Sequence, residues 1–229
     1  MVNKILKAGH WIRDYFHVVH KQSYTFIYRK TPDHYLGHIV ENKKPVILIP
    51  GVFEKWHFLK FIADPLSLAG HPVYVLEHMG YNTKEIRHNA KLVREFIDDK
   101  KLKDVIIIAH SKGGLIGKFI LAFYNKDEII KKVIAIASPF GGSHITKFVP
   151  HKAIKELSPQ SEIIKELSFK KEVNHKIVSI YGVFDNHVWP EESCKLEGAD
   201  NIQVEAYGHH KILFDKKIRA IVISEVDKV

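Results

Sequence analysis

A serine lies between a strongly apolar run and a helix-like pattern, where its hydroxyl could act as a nucleophile. In VIIIAHSKGGLIGKF, residues 105–119, the apolar run ends at Ala109 and helical spacing begins at Leu115. Only five residues connect the two, so Ser111 must lie near the apex of a sharp turn between a buried strand and a helix. A serine attacks a carbonyl carbon when a histidine removes its proton and a carboxylate orients that histidine. Ser111 is therefore a candidate catalytic nucleophile.

The residues around Ser111 favour a sharp turn over an ordinary helix start. Small residues at Ala109, Gly113 and Gly114 would let the strand and the helix approach each other closely. Serine is also a preferred helix N-cap, so a purely capping role is the alternative interpretation. We predict that Ser111 is the nucleophile.

Histidines and carboxylates that could complete such a site follow downstream. His209 and His210 are adjacent, and spacing alone does not choose between them as the base. Asp185 comes shortly after an apolar run at 177–181, a position that favours it as the orienting acid. It could instead be a turn-forming aspartate. Three other carboxylates could then reach the histidine: Glu191, Glu197 and Asp200.

Apolar runs and helical patterns alternate from residue 45 onward. The runs span 45–49, 73–76, 105–109, 133–137, 177–181 and 202–206. Apolar residues at intervals of three and four predict helices between them, at 86–97 and 115–123. Because the runs lack polar alternation, they suit strands covered on both faces. We predict an α/β fold with a mostly parallel central sheet flanked by helices, and a ligand site beyond the carboxyl ends of the strands.

Two segments interrupt or precede this alternation. Residues 1–40 predict a helix, followed by a short hairpin in which YTFIYR and YLGHIVEN flank KTPDH. We interpret the helix as covering the core through apolar residues at helical spacing, with a membrane-surface helix as the alternative. These residues are Ile5, Ile12, Phe16 and Val19. Prolines break residues 140–174 into short helices, which we predict to form a small cap that binds an acyl chain or only closes the core.

Together these motifs resemble those of α/β-hydrolases, and among them bacterial triacylglycerol lipases and related esterases. The family's Gly-x-Ser-x-Gly corresponds here to Ala109-His110-Ser111-Lys112-Gly113, with alanine replacing the first glycine. GVFDNHVWPEES resembles the segment that holds the family's acid, and YGHHKIL the segment in which the base directly follows a glycine. The length suits one α/β-hydrolase domain over residues 1–229, of which the resemblance covers about 45–213. The resemblance implies a triad of Ser111, Asp185 and His209.

The resemblance also implies an oxyanion hole, formed by two backbone N–H groups that bind the charge developing on the carbonyl oxygen. Lys112, the residue after the nucleophile, would supply one N–H group and would act mainly through its backbone. Val52 in IPGVF would supply the other, and Gly51 would permit the backbone turn that directs it. Lipases often carry histidine before this glycine, whereas this chain has Pro50.

The implied reaction is hydrolysis of a carboxylic ester, including lipid esters, through an acyl-enzyme. Thioester hydrolysis, amide hydrolysis and acyl transfer use the same triad and are alternatives. A lipid- or membrane-binding protein that keeps the fold without turnover is a further alternative. The triad requires no cofactor. We also expect no metal, since the sequence has neither His-Glu-x-x-His nor a cysteine cluster with zinc spacing.

Composition narrows the partners and the location. The net charge of +9 predicts attraction to anionic surfaces, including peripheral contact with an anionic membrane. The basic residues are scattered and no nucleic-acid-binding motif occurs, so we predict no nucleic-acid partner. The single cysteine, Cys194, excludes an intrachain disulfide, and the N-terminus does not resemble a secretory signal. We therefore predict a cytoplasmic protein; its oligomeric state has no signal in the sequence.

Overall fold

The structure is a computed structural model that describes residues 30–229 and part of the N-terminal segment. The described N-terminal residues are Gly9, Trp11, Ile12, Asp14, Tyr15, Phe16, Val18, Val19 and Gln22, all of them helical. The helix predicted there agrees with these residues. Ile5 and the first strand of the predicted hairpin, 24–29, lie outside the described residues.

Six strands form one sheet in the order β2-β1-β3-β4-β5-β6. They are β1 (Val46–Ile49), β2 (Val73–Val75), β3 (Val105–His110), β4 (Ile130–Ile136), β5 (Ile177–Phe184) and β6 (Asp200–Tyr207). All neighbouring pairs are parallel. Each strand overlaps one of the apolar runs, so the predicted parallel sheet is confirmed. The chain runs from β1 outward to β2 and then returns to the other side of β1 as β3, and ligands of open α/β sheets bind at such a reversal.

Helices cover both faces of this sheet. They are α1 (His34–Gly37), α2 (Lys60–Leu68), α3 (Ile86–Asp99), α4 (Lys112–Phe123), α5 (Lys152–Lys155), α6 (Glu162–Phe169) and α7 (Lys216–Asp227). Ile47 and Ile49 pack in a buried cluster with residues of α3 and α4. Val46 and Leu48 pack in a second cluster with residues of α2 and α7. Successive strand residues point to opposite faces of the sheet. Because helices cover both faces, residues that point to either face are apolar.

The second strand of the predicted hairpin is wrong, because α1 occupies its beginning. Tyr35 in α1 is buried, with its ring 5.9 Å from the Trp56 ring, and its hydroxyl donates to Asp64 Oδ1 at 3.1 Å. Pro32 lies just before Asp33, the N-cap of α1, and its carbonyl accepts the Tyr35 N–H at 3.0 Å. The proline therefore precedes a short helix and not the second strand of a hairpin.

The N-terminal helix presents a different face to the core than its apolar spacing predicts. Ile12, Phe16 and Val19 are each at least 70% exposed, whereas Asp14 is fully buried. The interpretation that these apolar residues cover the core is therefore wrong. A buried carboxylate with several hydrogen-bond donors directs the polar side of the helix inward instead.

Residues 140–174 form short helical pieces. α5 and α6 lie between two 3-10 turns, His144–Lys147 and Asn174–Lys176. Pro150 and Pro159 precede the two α-helices, as the predicted breaks require. In the described part of the chain, no helix has the length and apolar content needed to cross a membrane.

Candidate active site

Ser111 lies in a strained turn between β3 and α4. Its backbone has φ 51° and ψ −121°, a region that side-chain-bearing residues rarely occupy, and it is the N-cap of α4. Such a conformation costs about 1–3 kcal/mol and is maintained only where the surroundings enforce it. Here the Ser111 N–H donates to the Ile136 carbonyl of β4 at 2.9 Å, which holds the turn at the edge of the sheet.

Two glycines allow α4 to pack this close to the sheet. A Cβ at Gly113 would lie 2.2 Å from the Ile49 carbonyl oxygen, and one at Gly114 would lie 2.1 Å from Ser138 Oγ. Both distances are too short for any side chain. The helix can therefore start immediately after Ser111 only because these positions lack side chains, with Ala109 fully buried at the preceding strand position.

Asp185 and His209 form a buried pair. The Asp185 carboxylate accepts from His209 Nδ1 through Oδ2 at 2.8 Å. Its Oδ1 accepts the N–H groups of His187 at 2.7 Å and Val188 at 2.9 Å. Burial raises the pKa of Asp185, but His209 and the N–H donor of His187 outweigh burial, so the pKa lies below its ordinary value. Asp185 is consequently an ionised partner that fixes the orientation of the His209 ring.

The other carboxylates considered from the sequence lie elsewhere. Glu191 Oε1 is 3.4 Å from the N–H of Asp185, which it accepts. Glu197 pairs with Lys171 at 2.6 Å, and Asp200 is an exposed residue at the start of β6. Only Asp185, among these four, hydrogen-bonds a ring nitrogen of His209 or His210 in the described residues.

The adjacent histidines have different partners. His210 Nδ1 donates to Asp14 Oδ2 at 2.9 Å, and His210 Nε2 lies 3.3 Å from Glu54 Oε1. Burial lowers the pKa of His210, but the hydrogen bonds to these two carboxylates raise it to about 9. His210 is therefore a protonated group with both nitrogens occupied. A base needs a free nitrogen facing the substrate, so the surroundings favour His209 over His210.

Ser111 and His209 line the same cavity of about 290 Å³. Most of its wall is apolar, supplied by Val18, Val52, Phe53, Phe58, Ile145, Val149, Ile154, Leu157 and Val188. Several of these residues belong to the segment 140–174, which places the predicted cap beside Ser111. Within the described residues, the Ser111 hydroxyl makes no hydrogen bond to His209, a contact that often tightens only when substrate binds.

The loop after β1 is held by a buried glutamate that the sequence did not reveal. Glu54 Oε2 accepts the N–H of Gly51 at 2.7 Å, and Val52 between them lines the cavity. The left-handed backbone of this loop is at Phe53, with φ 62°, and not at Gly51 as expected. A Cβ at Gly51 would lie 2.9 Å from the Glu54 carboxyl carbon, so a side chain there would displace the Glu54 carboxylate.

The side chain of Lys112 has a structural role beside the backbone role that the sequence predicts. It is fully buried, and Nζ contacts the Lys84 carbonyl and Glu156 Oε2, the latter at 3.3 Å. Glu156 in turn accepts the first N–H of α3, that of Ile86, at 3.0 Å. Lys112 thus connects the Ser111 turn to the cap segment. Because Lys112 begins α4, its own N–H has no acceptor within that helix.

One group of histidines in the described residues is close enough to be considered for metal binding: His187, His209 and His210, with ligand atoms within 4.8 Å of one another. The Nδ1 atoms of His209 and His210 are already bonded to carboxylates. The protonated His210 has no lone pair to offer. Burial and the two neighbouring histidines lower the pKa of His187 to about 3, so it is neutral. The group fits a network of proton donors and acceptors better than a metal centre.

The strand order and the sequence together define the class of this protein. A family model described as the alpha/beta hydrolase fold matches residues 44–165, more than half of the chain, and the chain belongs to this family. The resemblance inferred from the Ser111 motif is thereby confirmed at the level of the family.

Several solved structures are similar. Lipase BlEst2 of Bacillus licheniformis, in its mature form, has a TM-score of 0.65 at 16% identity, over 83% of this chain and 95% of that chain. The product of gene lin2722 of Listeria innocua has a TM-score of 0.63 at 16% identity, over 82% of this chain and 95% of that chain. The monoacylglycerol lipase of Paleococcus ferrophilus has a TM-score of 0.59 at 16% identity, over 81% of this chain and 96% of that chain. These likenesses show the fold. Among curated protein sequences, none matches this chain.

Proposed function

We propose that this protein hydrolyses carboxylic esters with apolar acyl groups, using Ser111 as the nucleophile, His209 as the base and Asp185 as the orienting acid. One observation carries the proposal: the strained Ser111 turn and the buried Asp185–His209 pair border one apolar cavity. Strain, a polarised histidine and an adjacent apolar space have no evident use in a protein that only needs to fold.

The proposed reaction proceeds through an acyl-enzyme. As Ser111 Oγ forms a bond to the ester carbonyl carbon, His209 Nε2 takes its proton, and the N–H groups of Val52 and Lys112 bind the oxyanion. The carbon–oxygen bond of the ester then breaks, and His209 returns the proton to the departing alcohol oxygen. A water molecule attacks the acyl-enzyme in the same way, with His209 again accepting and returning the proton, and frees the carboxylic acid.

The form of the cavity supports esters with apolar acyl groups as the substrate class. Most of the wall surface is apolar, so an acyl chain would bind mainly by burying apolar surface. Two of the similar structures are of a lipase and a monoacylglycerol lipase, which agrees with this choice. Thioesters, amides and acyl transfer remain the alternative reactions of the same acyl-enzyme.

The proposal is tested by comparing p-nitrophenyl esters of increasing acyl length with the matching thioester and anilide. We expect turnover of the esters with a preference for an apolar chain over acetate, and covalent labelling of the protein at Ser111 by a fluorophosphonate. A preference for the thioester or anilide would reassign the reaction. Absence of both turnover and labelling would favour a lipid-binding protein without catalysis.

We further propose that the cavity opens toward a lipid surface. Ile12 and Val19 of the N-terminal segment and Phe148 of the cap are each at least 70% exposed, and Val18 of the same N-terminal segment lines the cavity. The net charge of +9 would add attraction to anionic lipids. A cytoplasmic location stays a prediction from the sequence.

Replacing Ile12 and Val19 together with serine should weaken binding to vesicles that contain anionic lipid, because less apolar surface can enter the interface. We expect roughly a tenfold loss or more in a sedimentation assay, since each side chain contributes about 1 kcal/mol or more when buried. Leu68→Ser is the matched control, as Leu68 is exposed at the end of α2, at the opposite edge of the sheet. Equal losses for both proteins would contradict the proposed orientation.

A further inference from the structure

A carboxylate from the N-terminal helix reaches the loop that carries His209. Asp14 is fully buried, and its Oδ1 accepts the N–H groups of His210 and Lys211, each at 2.8 Å. Its Oδ2 accepts from His210 Nδ1 at 2.9 Å and from Asn186 Nδ2 at 3.1 Å. A single carboxylate therefore receives four donors from two loops that lie more than 170 residues away in the sequence.

The first connection from Asp14 leads to the backbone of the proposed base. Asn186 is fully buried, and its Oδ1 accepts the His209 N–H at 2.8 Å. Since Asp14 occupies the amide nitrogen of Asn186, it fixes which end of that amide faces His209. The preceding Gly208 has φ 110°, and a Cβ there would lie 2.8 Å from Asp14 Oδ1. The loop thus approaches the carboxylate as closely as a glycine allows.

The second connection leads from Asp14 to the proposed oxyanion loop. Protonated His210 donates to Asp14 on one side and contacts Glu54 Oε1 on the other. Glu54 holds the N–H of Gly51, next to Val52. His110 ties the two loops together, because its Nδ1 lies 2.8 Å from Glu54 Oε1 and its Nε2 donates to the His209 carbonyl at 3.0 Å.

We propose that Asp14 is a positioning residue of this enzyme, which sets the base loop through Asn186 and the oxyanion loop through His210 and Glu54. The inference rests on the proposed ester hydrolysis. Asp14 does not touch the substrate site through its own carboxylate; it acts through groups that hold His209 and Val52. It follows that the N-terminal helix, which precedes the residues matched by the family model, is a component of the active site.

Charge is central to this arrangement. The titratable groups around His210 come from five parts of the chain: Asp14, Glu54, His110, His187 and His209. Two of them are carboxylates in direct contact, which hold the proton on His210 up to a pKa of about 9. When the charge of Asp14 is removed, only the Glu54 carboxylate still contacts His210. The pKa of His210 should therefore fall by about one to three pH units. Loss of that proton leaves the ring a single N–H and no positive charge, which weakens the contact with Glu54 and loosens the oxyanion loop.

Asp14→Asn in the full chain tests the proposal, with a p-nitrophenyl ester as substrate. We expect kcat to fall by about 10- to 100-fold with little change in KM, because a displacement of the reacting groups costs about this much. The basic limb of the pH–rate profile, near pH 9 in the original protein, should move to lower pH. An NMR titration of His210 should show the same displacement without depending on turnover.

Two further variants control for folding. Asp14→Glu keeps the charge but adds a methylene, and we expect it to keep the basic limb while lowering kcat; an unchanged kcat here would contradict positioning. Asp127→Asn removes an exposed carboxylate that also accepts several hydrogen bonds, with its Oδ2 2.6 Å from Arg94 at a site remote from the cavity. It should change stability without moving the pH profile. If Asp14→Asn does not fold, the kcat of Asp14→Glu still decides.

The outcomes separate this inference from the proposed function. A displaced His210 titration with unchanged kcat and pH profile would mean that Asp14 only stabilises the fold, which overturns the proposal. An unchanged His210 titration overturns it as well. If the original protein neither turns over esters nor reacts with a fluorophosphonate, the proposed function fails, and the positioning role fails with it even where the His210 titration moves.

Discussion

Replacing Ser111 with alanine should lower ester hydrolysis by roughly 10⁴- to 10⁶-fold, because the acyl-enzyme cannot form and only substrate binding and the oxyanion donors remain. The fold should survive. Alanine has the same Cβ as serine, so it neither adds bulk to the turn nor changes the backbone strain at φ 51°. The measurements are kcat/KM for a p-nitrophenyl ester, fluorophosphonate labelling and the unfolding midpoint Tm.

Ser179→Ala is the matched control for this experiment. Ser179 is fully buried in β5, where its hydroxyl donates to the Cys194 carbonyl at 2.7 Å and does not line the cavity. Its loss should cost about 1–3 kcal/mol of stability, because a buried acceptor loses its donor, and should leave kcat unchanged. If Ser111→Ala hydrolyses the ester as fast as the original protein, Ser111 is not the nucleophile and the proposed reaction is wrong.

The central sheet could be predicted from the sequence because the relevant signal is local. A strand that is apolar at successive positions, such as β3, is buried on both faces. Its run of isoleucines therefore predicts a central strand without any information about its neighbours. The turn at Ser111 is similarly local, since Gly113 and Gly114 are needed for contacts made within one strand-to-helix connection. The family resemblance added the expected positions of Asp185 and His209, which the structure brings within hydrogen-bonding distance.

The supporting network could not be predicted because its members are far apart in the sequence. Asp14 looks like one more charged residue on an amphipathic helix, and Glu54 like an acidic residue in a loop. Their significance depends on tertiary contacts with His210, which no local pattern encodes. For the same reason the apolar spacing of the N-terminal helix indicated the wrong face, since four hydrogen bonds to Asp14 place that side of the helix against the core.

The network also explains why adjacent histidines can have separate roles. Both histidines line the cavity, and His209 contacts a single carboxylate, through its ring nitrogen Nδ1. In His210 two carboxylates hold both ring nitrogens and keep the ring protonated. The proposed base, His209, is therefore distinguished from His210 by the number of carboxylates that each ring contacts, information that spacing alone does not contain.

Replacing Asp185 with asparagine should lower kcat by about 10⁴-fold, because a neutral amide neither holds His209 in the required tautomer nor stabilises the imidazolium that forms during attack. Two N–H groups, those of His187 and Val188, already occupy Oδ1 of this side chain. The asparagine oxygen should take that position, which leaves its NH₂ group facing His209 Nδ1 and favours the wrong tautomer. Steady-state rates and fluorophosphonate labelling should fall together, since both need the activated serine.

Glu191→Gln distinguishes Asp185 from the nearest alternative acid. Glu191 accepts the Asp185 N–H at 3.4 Å, and the glutamine oxygen can accept it equally, so we expect less than about a tenfold change in kcat. The pKa of Asp185 lies below its ordinary value, so its carboxylate is ionised at neutral pH, the form that the orienting acid requires. A large loss for Glu191→Gln beside a small loss for Asp185→Asn would move the role of the acid to Glu191 and would require the loop after β5 to rearrange when substrate binds.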